Sequence, residues 1–199
     1  MSKLETNTID TVSGTSTLQV GSTNTSTITL GVSGDTINVP SGVTIANSGT
    51  ATGFAANTPA FVAYKTSNQS ISNTTATKIT FEAEQVDSGS VYDTSNSRFT
   101  PGETGYYWIG ARWRYDTGDD FDTAQYQIYK NGSVIAKSTF INQNSNGAFL
   151  NTIIYTGSTS DYYEMYGYQN KGSSTTINGN STYPEQDQAQ FYAFKIIGL

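Results

Sequence analysis

Neither cysteine nor histidine occurs anywhere in the 199 residues. Their absence excludes disulfide staples, thiolate metal sites, imidazole pH switches and any nucleophile–base pair built on Cys or His, a Ser-His-Asp triad included. Long apolar runs are missing too. A spanning helix needs roughly 20 consecutive apolar residues, and no Lys/Arg-flanked apolar stretch follows Met1, so the chain is read as having neither a membrane span nor a signal peptide. Positive charge is scarce: ten Lys+Arg stand against sixteen Asp+Glu, a net charge of −6 that repels a phosphate backbone. Nucleic acid and membrane insertion are therefore not expected. What remains is carboxylate and hydroxyl chemistry, which allows paired-acid glycoside hydrolysis or calcium held by oxygen ligands.

Aromatic residues are absent from positions 1–53 and all 25 of them follow from Phe54 onward. The chain divides accordingly into 1–53, a linker at 54–57, and 58–199. In the first part short apolar pairs recur in a Ser/Thr/Asn/Gly frame: Leu18 and Val20, Ile28 and Leu30, Ile37 and Val39, then Val43 and Ile45, at a spacing of about 8 to 10 residues. Each pair reads as a short alternating strand closed by a turn such as Gly21-Ser22, Gly34-Asp35 or Pro40-Ser41-Gly42. A single copy buries too little to offset roughly 1–2 kcal/mol of backbone ordering per residue. Three copies around a common axis bring Leu18, Val20, Ile28, Leu30, Ile37 and Val39 into one stalk core. A disordered Ser/Thr/Gly linker is the alternative, but a linker has no reason to keep the alternation in register over four repeats.

The second part has the length of one domain and lacks extended helical periodicity. β-branched and aromatic runs between Gly, Asn, Asp and Ser clusters predict ten strands, near 60–65, 78–83, 91–92, 105–115, 124–130, 133–139, 148–155, 161–169, 175–177 and 190–197. Ten short strands make an all-β jelly-roll sandwich. The segment 124–128 alternates cleanly, with Ala124, Tyr126 and Ile128 directed inward and Gln125 and Gln127 to water. Three strands are apolar on both parities instead. Tyr106 and Trp108 oppose Tyr107, Ile109 and Trp113; Tyr162, Tyr166 and Tyr168 oppose Tyr163 and Met165; Tyr192 and Phe194 oppose Phe191 and Ala193. One parity serves the core, and the other is a patch that soluble monomers rarely expose. Tyr162, Tyr166, Tyr168, Tyr192, Phe194, Tyr106 and Trp108 are accordingly assigned to a subunit interface, with surface tyrosines bearing wet hydroxyls as the plain alternative.

Several motifs follow one another in order. They are Pro59-Ala60-Phe61-Val62-Ala63, Lys78-Ile79-Thr80-Phe81, Val91-Tyr92-Asp93, Arg98-Phe99-Thr100-Pro101 and Gly105-Tyr106-Tyr107-Trp108. Tyr129-Lys130-Asn131-Gly132 and Phe191-Tyr192-Ala193-Phe194-Lys195-Ile196 complete the series. Together they resemble the C1q/TNF-like jelly-roll domain over residues 58–199. The resemblance implies a ten-strand jelly roll that forms a compact homotrimer, binds rather than catalyses, and caps a trimeric stalk. No Gly-X-Y repeat precedes it, and the N-terminal block instead resembles stalk repeats of bacteriophage tail fibres and virion appendages.

Three functions fit this reading: a homotrimeric phage fibre whose head binds a host-surface glycan or protein and whose N-terminus meets other virion proteins, a capsid decoration protein, or a secreted C1q-like lectin. Glycan contacts are expected in the head's loops, at Asn142, Asn144, Asn146 and Tyr183, where amides adjoin an aromatic face. The acidic run Asp116, Asp119, Asp120 and Asp122 reads as a loop that either holds Ca2+ or is simply solvated. Glu82, Glu84 and Glu164 are the carboxylates a hydrolase would need, placed by alternation toward solvent or an interface.

Overall fold

The computed structural model of the chain describes residues 20, 24–46, 48, 57–115, 118, 120–144, 148–179 and 189–197, the side chains at 142–144 and 148 excepted. It divides into two compact units, Met1–Thr52 and Gly53–Leu199.

Among the described residues of the first unit no strand forms. Two of the expected turns are there, and Gly21-Ser22 lies outside the described residues. Asp35 donates its N–H to Val32 O at 3.0 Å, and its carboxylate accepts the Val32 N–H at 2.8 Å. Val43 N–H closes the Pro40 turn at 3.2 Å. Gly34 and Gly42 take the left-handed backbone these turns require. Val20, Ile28, Leu30, Ile37 and Val39 are all exposed in the single chain, and Leu18 lies outside the described residues.

The second unit is all β. Its strands are β1 (Ala60–Tyr64), β2 (Gln69–Ile71), β3 (Thr77–Lys78), β4 (Ala83–Ser88), β5 (Tyr92–Asp93), β6 (Arg98–Phe99) and β7 (Gly105–Trp113). β8 (Asp120–Lys130), β9 (Ser133–Asn144), β10 (Ala148–Thr156), β11 (Tyr163–Gln169), β12 (Thr175–Ile177) and β13 (Gln190–Ile196) follow. One sheet runs β10-β7-β13-β1-β4; the other runs β5-β6-β11-β8-β9, with β3 also pairing β11. β12 and β2 form a small third ladder. The first and last strands of the unit, β1 and β13, pair antiparallel near the middle of the first sheet.

Alternation correctly placed the core. Tyr107, Ile109, Ala111 and Trp113 of β7, Tyr163 and Met165 of β11, and Phe191 and Ala193 of β13 are buried. At one end Phe61 stacks on Tyr92 at 4.7 Å and meets Phe191 edge-on at 4.8 Å; at the other Trp113 stacks on Tyr126 at 4.0 Å. Buried phenols are tolerated because each finds a partner. Tyr126 donates to Trp113 O at 2.6 Å, Tyr92 to Phe81 O at 3.1 Å, and Tyr163 shares a 2.7 Å bond with Thr156.

One expected strand, 78–83, is instead a crossover between β3 in one sheet and β4 in the other. Side chains take over the ladder's role for its backbone. Gln69 accepts Thr80 N–H at 3.0 Å and donates to Lys78 O at 2.6 Å, Ser97 Oγ accepts Phe81 N–H at 2.9 Å, and fully buried Lys65 donates to Thr80 O at 3.0 Å. Gln127, expected in water, is only 8% exposed.

Candidate self-association face

Because side chains alternate along a strand, every second residue of the first sheet points away from the core. On β10, β7 and β13 many of those residues are large and apolar, with Arg112 and Gln190 in line with Phe149 at one end, and the register sets the apolar ones in rows. Tyr155 sits opposite Tyr106, which sits opposite Ile196; Ile153 sits opposite Trp108, which sits opposite Phe194. Within the rows the rings touch. Tyr106 and Tyr155 approach to 5.1 Å, and Trp108 and Phe194 lie parallel at 6.2 Å. Phe149 is 70% exposed, Ile153 51%, Tyr155 56% and Trp108 37%. Val86 extends the apolar surface onto β4.

A third row has a different construction. Asn151 of β10 and Tyr192 of β13 flank Gly110 of β7, and the Tyr192 hydroxyl donates to Asn151 Oδ1 at 2.6 Å. The two side chains meet across the glycine. A Cβ at Gly110 would fall 2.0 Å from Asn151 Oδ1 and 2.8 Å from Tyr192 Cε2, so the position demands glycine for space. Burial raises the Tyr192 phenol above its ordinary value, which keeps it a donor.

Of the seven residues assigned to an interface from sequence, Tyr106, Trp108, Tyr192 and Phe194 share this face. Tyr162, Tyr166 and Tyr168 do not join them. Tyr166 and Tyr168 belong to β11 of the opposite sheet, and Tyr162 directly precedes that strand. Alternation separates inside from outside, but it does not say which sheet a strand joins. Phe149, Ile153 and Tyr155, which complete the face, were readable as apolar residues but carried no signal that placed them beside Trp108.

The other expected sites fare differently. Asp120 and Asp122 lie on β8, both exposed, where a loop was expected; Asp116 and Asp119 are outside the described residues. Among the described residues no group of three or more acidic side chains converges on a metal position. Asn142 and Asn144 belong to strand β9, so they are not loop residues, and their side chains are not described; Asn146 and Tyr183 lie outside the described residues. Glu164, expected toward solvent or an interface, is buried in the single chain. Its Oε1 accepts from Lys78 Nζ at 2.8 Å and from Arg98 Nε at 3.0 Å. Glu82 is tied to Lys65 at 2.9 Å and to Thr66 N–H at 2.8 Å. Burial pushes the Glu82 carboxyl up, yet these bonds hold it below its ordinary value. A carboxylate so held is a poor proton donor near neutral pH, which is the opposite of what a general acid needs.

No protein-family model matches the sequence, and comparison with curated proteins finds no match. Solved structures do match. Murine APRIL at pH 8.0 aligns at 8% identity with a TM-score of 0.52, covering 69% of this chain and 98% of that one. The phage protein PRD1 vertex protein P5 aligns at 15% identity with a TM-score of 0.50, covering 69% and 96%. The globular domain of a zebrafish complement 1qA protein aligns at 13% identity and 0.48, covering 69% and 96%. The second unit is thus an all-β C1q/TNF-like jelly roll, a fold also used by a phage vertex protein.

Proposed function

We propose that the protein is a homotrimeric virion appendage, with its N-terminal segment as the attachment stalk and its C-terminal head as a receptor-binding module for a host-surface ligand, a glycan foremost. The reading is carried by the unpartnered aromatic face of the β10-β7-β13-β1-β4 sheet. Tyr106, Trp108, Phe149, Ile153, Tyr155 and Phe194 are all exposed on one face and form a surface of the composition found at interface cores. The second unit's fold supports covering it with copies of the same chain, since the family that the sequence resembles assembles around the sheet containing its first and last strands. The first unit adds an independent demand: its Ile, Leu and Val side chains are exposed in one chain and gain partners around a threefold axis.

The reading is non-enzymatic. Half-buried Glu82 is paired with Lys65, and buried Glu164 with Lys78 and Arg98. A location on the particle surface agrees with the likeness to a vertex protein. That likeness also favours a second reading, decoration of the shell without host contact.

Adsorption of the labelled full chain separates the two. Host attachment predicts saturable binding to host cells, whether or not the stalk also holds the chain to empty capsids. Binding to empty capsids alone would overturn the receptor reading in favour of decoration.

A further inference from the structure

The outer face of the second sheet is aromatic as well, but built of other chemistry. Tyr162, Glu164, Tyr166 and Tyr168 emerge along β11 and the residue before it; Gln125, Gln127 and Tyr129 emerge along β8. The register sets Lys78 of β3 and Gln127 of β8 on either side of Tyr166, with Lys137 of β9 beyond Gln127. Tyr129 and Tyr166 stack at 3.9 Å, and the Arg98 guanidinium lies 3.9 Å above the Tyr162 ring. Glu164, whose side chain is 5% exposed, joins Lys78 to Arg98 through a single oxygen.

We propose that this face binds a carboxylated saccharide. The proposal rests on the reading of the head as a glycan-binding module and names its site and ligand class. Charge is the first argument. Lys78, Arg98 and Lys137 meet Glu164 and Asp93, and Asp93 spends its carboxylate on Ser95 and Asn96 at 2.6 Å each. Lys130 and Asp161 neutralise one another at 2.8 Å. One surplus positive charge is left on this face of a chain whose net charge is −6, a local attraction for an anionic ligand.

The second argument is the polar inventory. Gln127 donates through Nε2 to Gln125 Oε1 at 2.6 Å, while its own carbonyl oxygen is buried without a hydrogen-bond partner among the described residues. A buried acceptor without a donor costs about 1–3 kcal/mol, and turning the Gln127 side chain toward the face would bring this oxygen to a sugar hydroxyl. Tyrosine rings offer apolar faces to sugar C–H groups while their hydroxyls and the glutamine amides bond sugar oxygens. Arg98 and Lys78 supply charge-assisted bonds to a carboxylate. A polynucleotide would supply anions too, but the overall negative charge opposes it.

Calorimetric titration of the full chain with hexagalacturonate, and with neutral maltohexaose as the control, tests the face. Two variants accompany it: Lys137→Glu, at an exposed position, and Tyr162→Leu. Their thermal melts verify that the fold is intact. The expected result is measurable binding of hexagalacturonate, none of maltohexaose, and affinity weakened about tenfold by each variant, the size expected for losing one charge pair or one ring contact. Absence of hexagalacturonate binding, equal binding of the neutral sugar, or unchanged affinity in both variants would each overturn the proposal. The titration needs no host cell, so its failure removes this face alone. Failure of the wild-type chain to adsorb to its host would instead remove the attachment reading.

Discussion

The two outer faces of the sandwich carry similar numbers of aromatic rings and differ in what surrounds them. On the β10-β7-β13-β1-β4 sheet, Tyr106, Trp108, Ile153, Tyr155 and Phe194 have one another as neighbours, and polar groups enter only beyond these two rows, at the Tyr192–Asn151 bond and at Arg112 between Phe149 and Gln190. On the β5-β6-β11-β8-β9 sheet, each ring stands next to a charge or an amide: Tyr162 under Arg98, and Tyr166 between Lys78 and Gln127. The first arrangement gains by losing water; the second has polar groups that would be stranded by doing so. Ring count alone therefore does not mark an interface. The cross-strand neighbours do, since pairs across a sheet are the unit of its energetics.

The sharpest way to break this comparison is to place charge on both faces. Trp108→Lys combined with Phe194→Lys buries two unpaired ammonium groups at the proposed contact. Each costs several kcal/mol, on the order of 3–5, and sedimentation should show dissociation to single chains. Tyr166→Lys on the opposite face should leave the sedimentation coefficient unchanged. Equal behaviour of the two variants would erase the distinction between the faces.

Next in size is Gly110→Val. Its Cβ would collide with Asn151 and Tyr192, and overpacking of this kind costs about 2–3 kcal/mol, read as a lower urea midpoint. Gly157→Ala is the control, because a Cβ there meets Tyr155 at an ordinary 3.6 Å. Its midpoint should move little.

Glu164→Gln tests whether the charged face is held together by its buried carboxylate. Lys78 and Arg98 then lose their shared anion, but both remain partly exposed, so solvent screening limits the loss to about 1–2 kcal/mol. Glu103→Gln, which removes the exposed partner of Lys195, should change stability by no more than about 0.5 kcal/mol.

The last test is one of pH. Asp161 accepts from Lys130 Nζ and Asn131 Nδ2 at 2.8 Å and from the Gly157 and Ser158 N–H groups at 3.1 Å. Led by the Lys130 and Asn131 bonds, these hold its carboxyl at about 2, below the ordinary 3.8. A depressed carboxylate stabilises the fold fully above its unfolded value and loses that contribution as protonation sets in. Stability should therefore fall between roughly pH 4 and pH 2, and Asp161→Asn should flatten that part of the profile.

These tests also mark where the sequence was legible. Period-2 alternation identified the inward residues of β7, β11 and β13, because burial acts on each strand locally. The C1q/TNF-like resemblance was equally visible in the motif order from Pro59 to Ile196. Hidden were the features set by distant partners. The crossover at 79–82 depends on Lys65, Gln69, Tyr92 and Ser97 satisfying its backbone, and no local pattern announces such bonds. Gln127 alternated as a solvent-facing residue, and only the neighbouring strands β9 and β11 show why it is buried. Tyr166 and Trp108 looked equivalent for the same reason: strand order, not strand composition, assigns them to opposite faces.

The central claim is that copies of this chain cover the Trp108–Phe194 face. Light scattering on the full chain at micromolar concentration tests it most directly. The account predicts a mass three times the 21.4 kDa of one chain. A stable mass of a single chain, with Trp108 and Phe194 left to water, would contradict it.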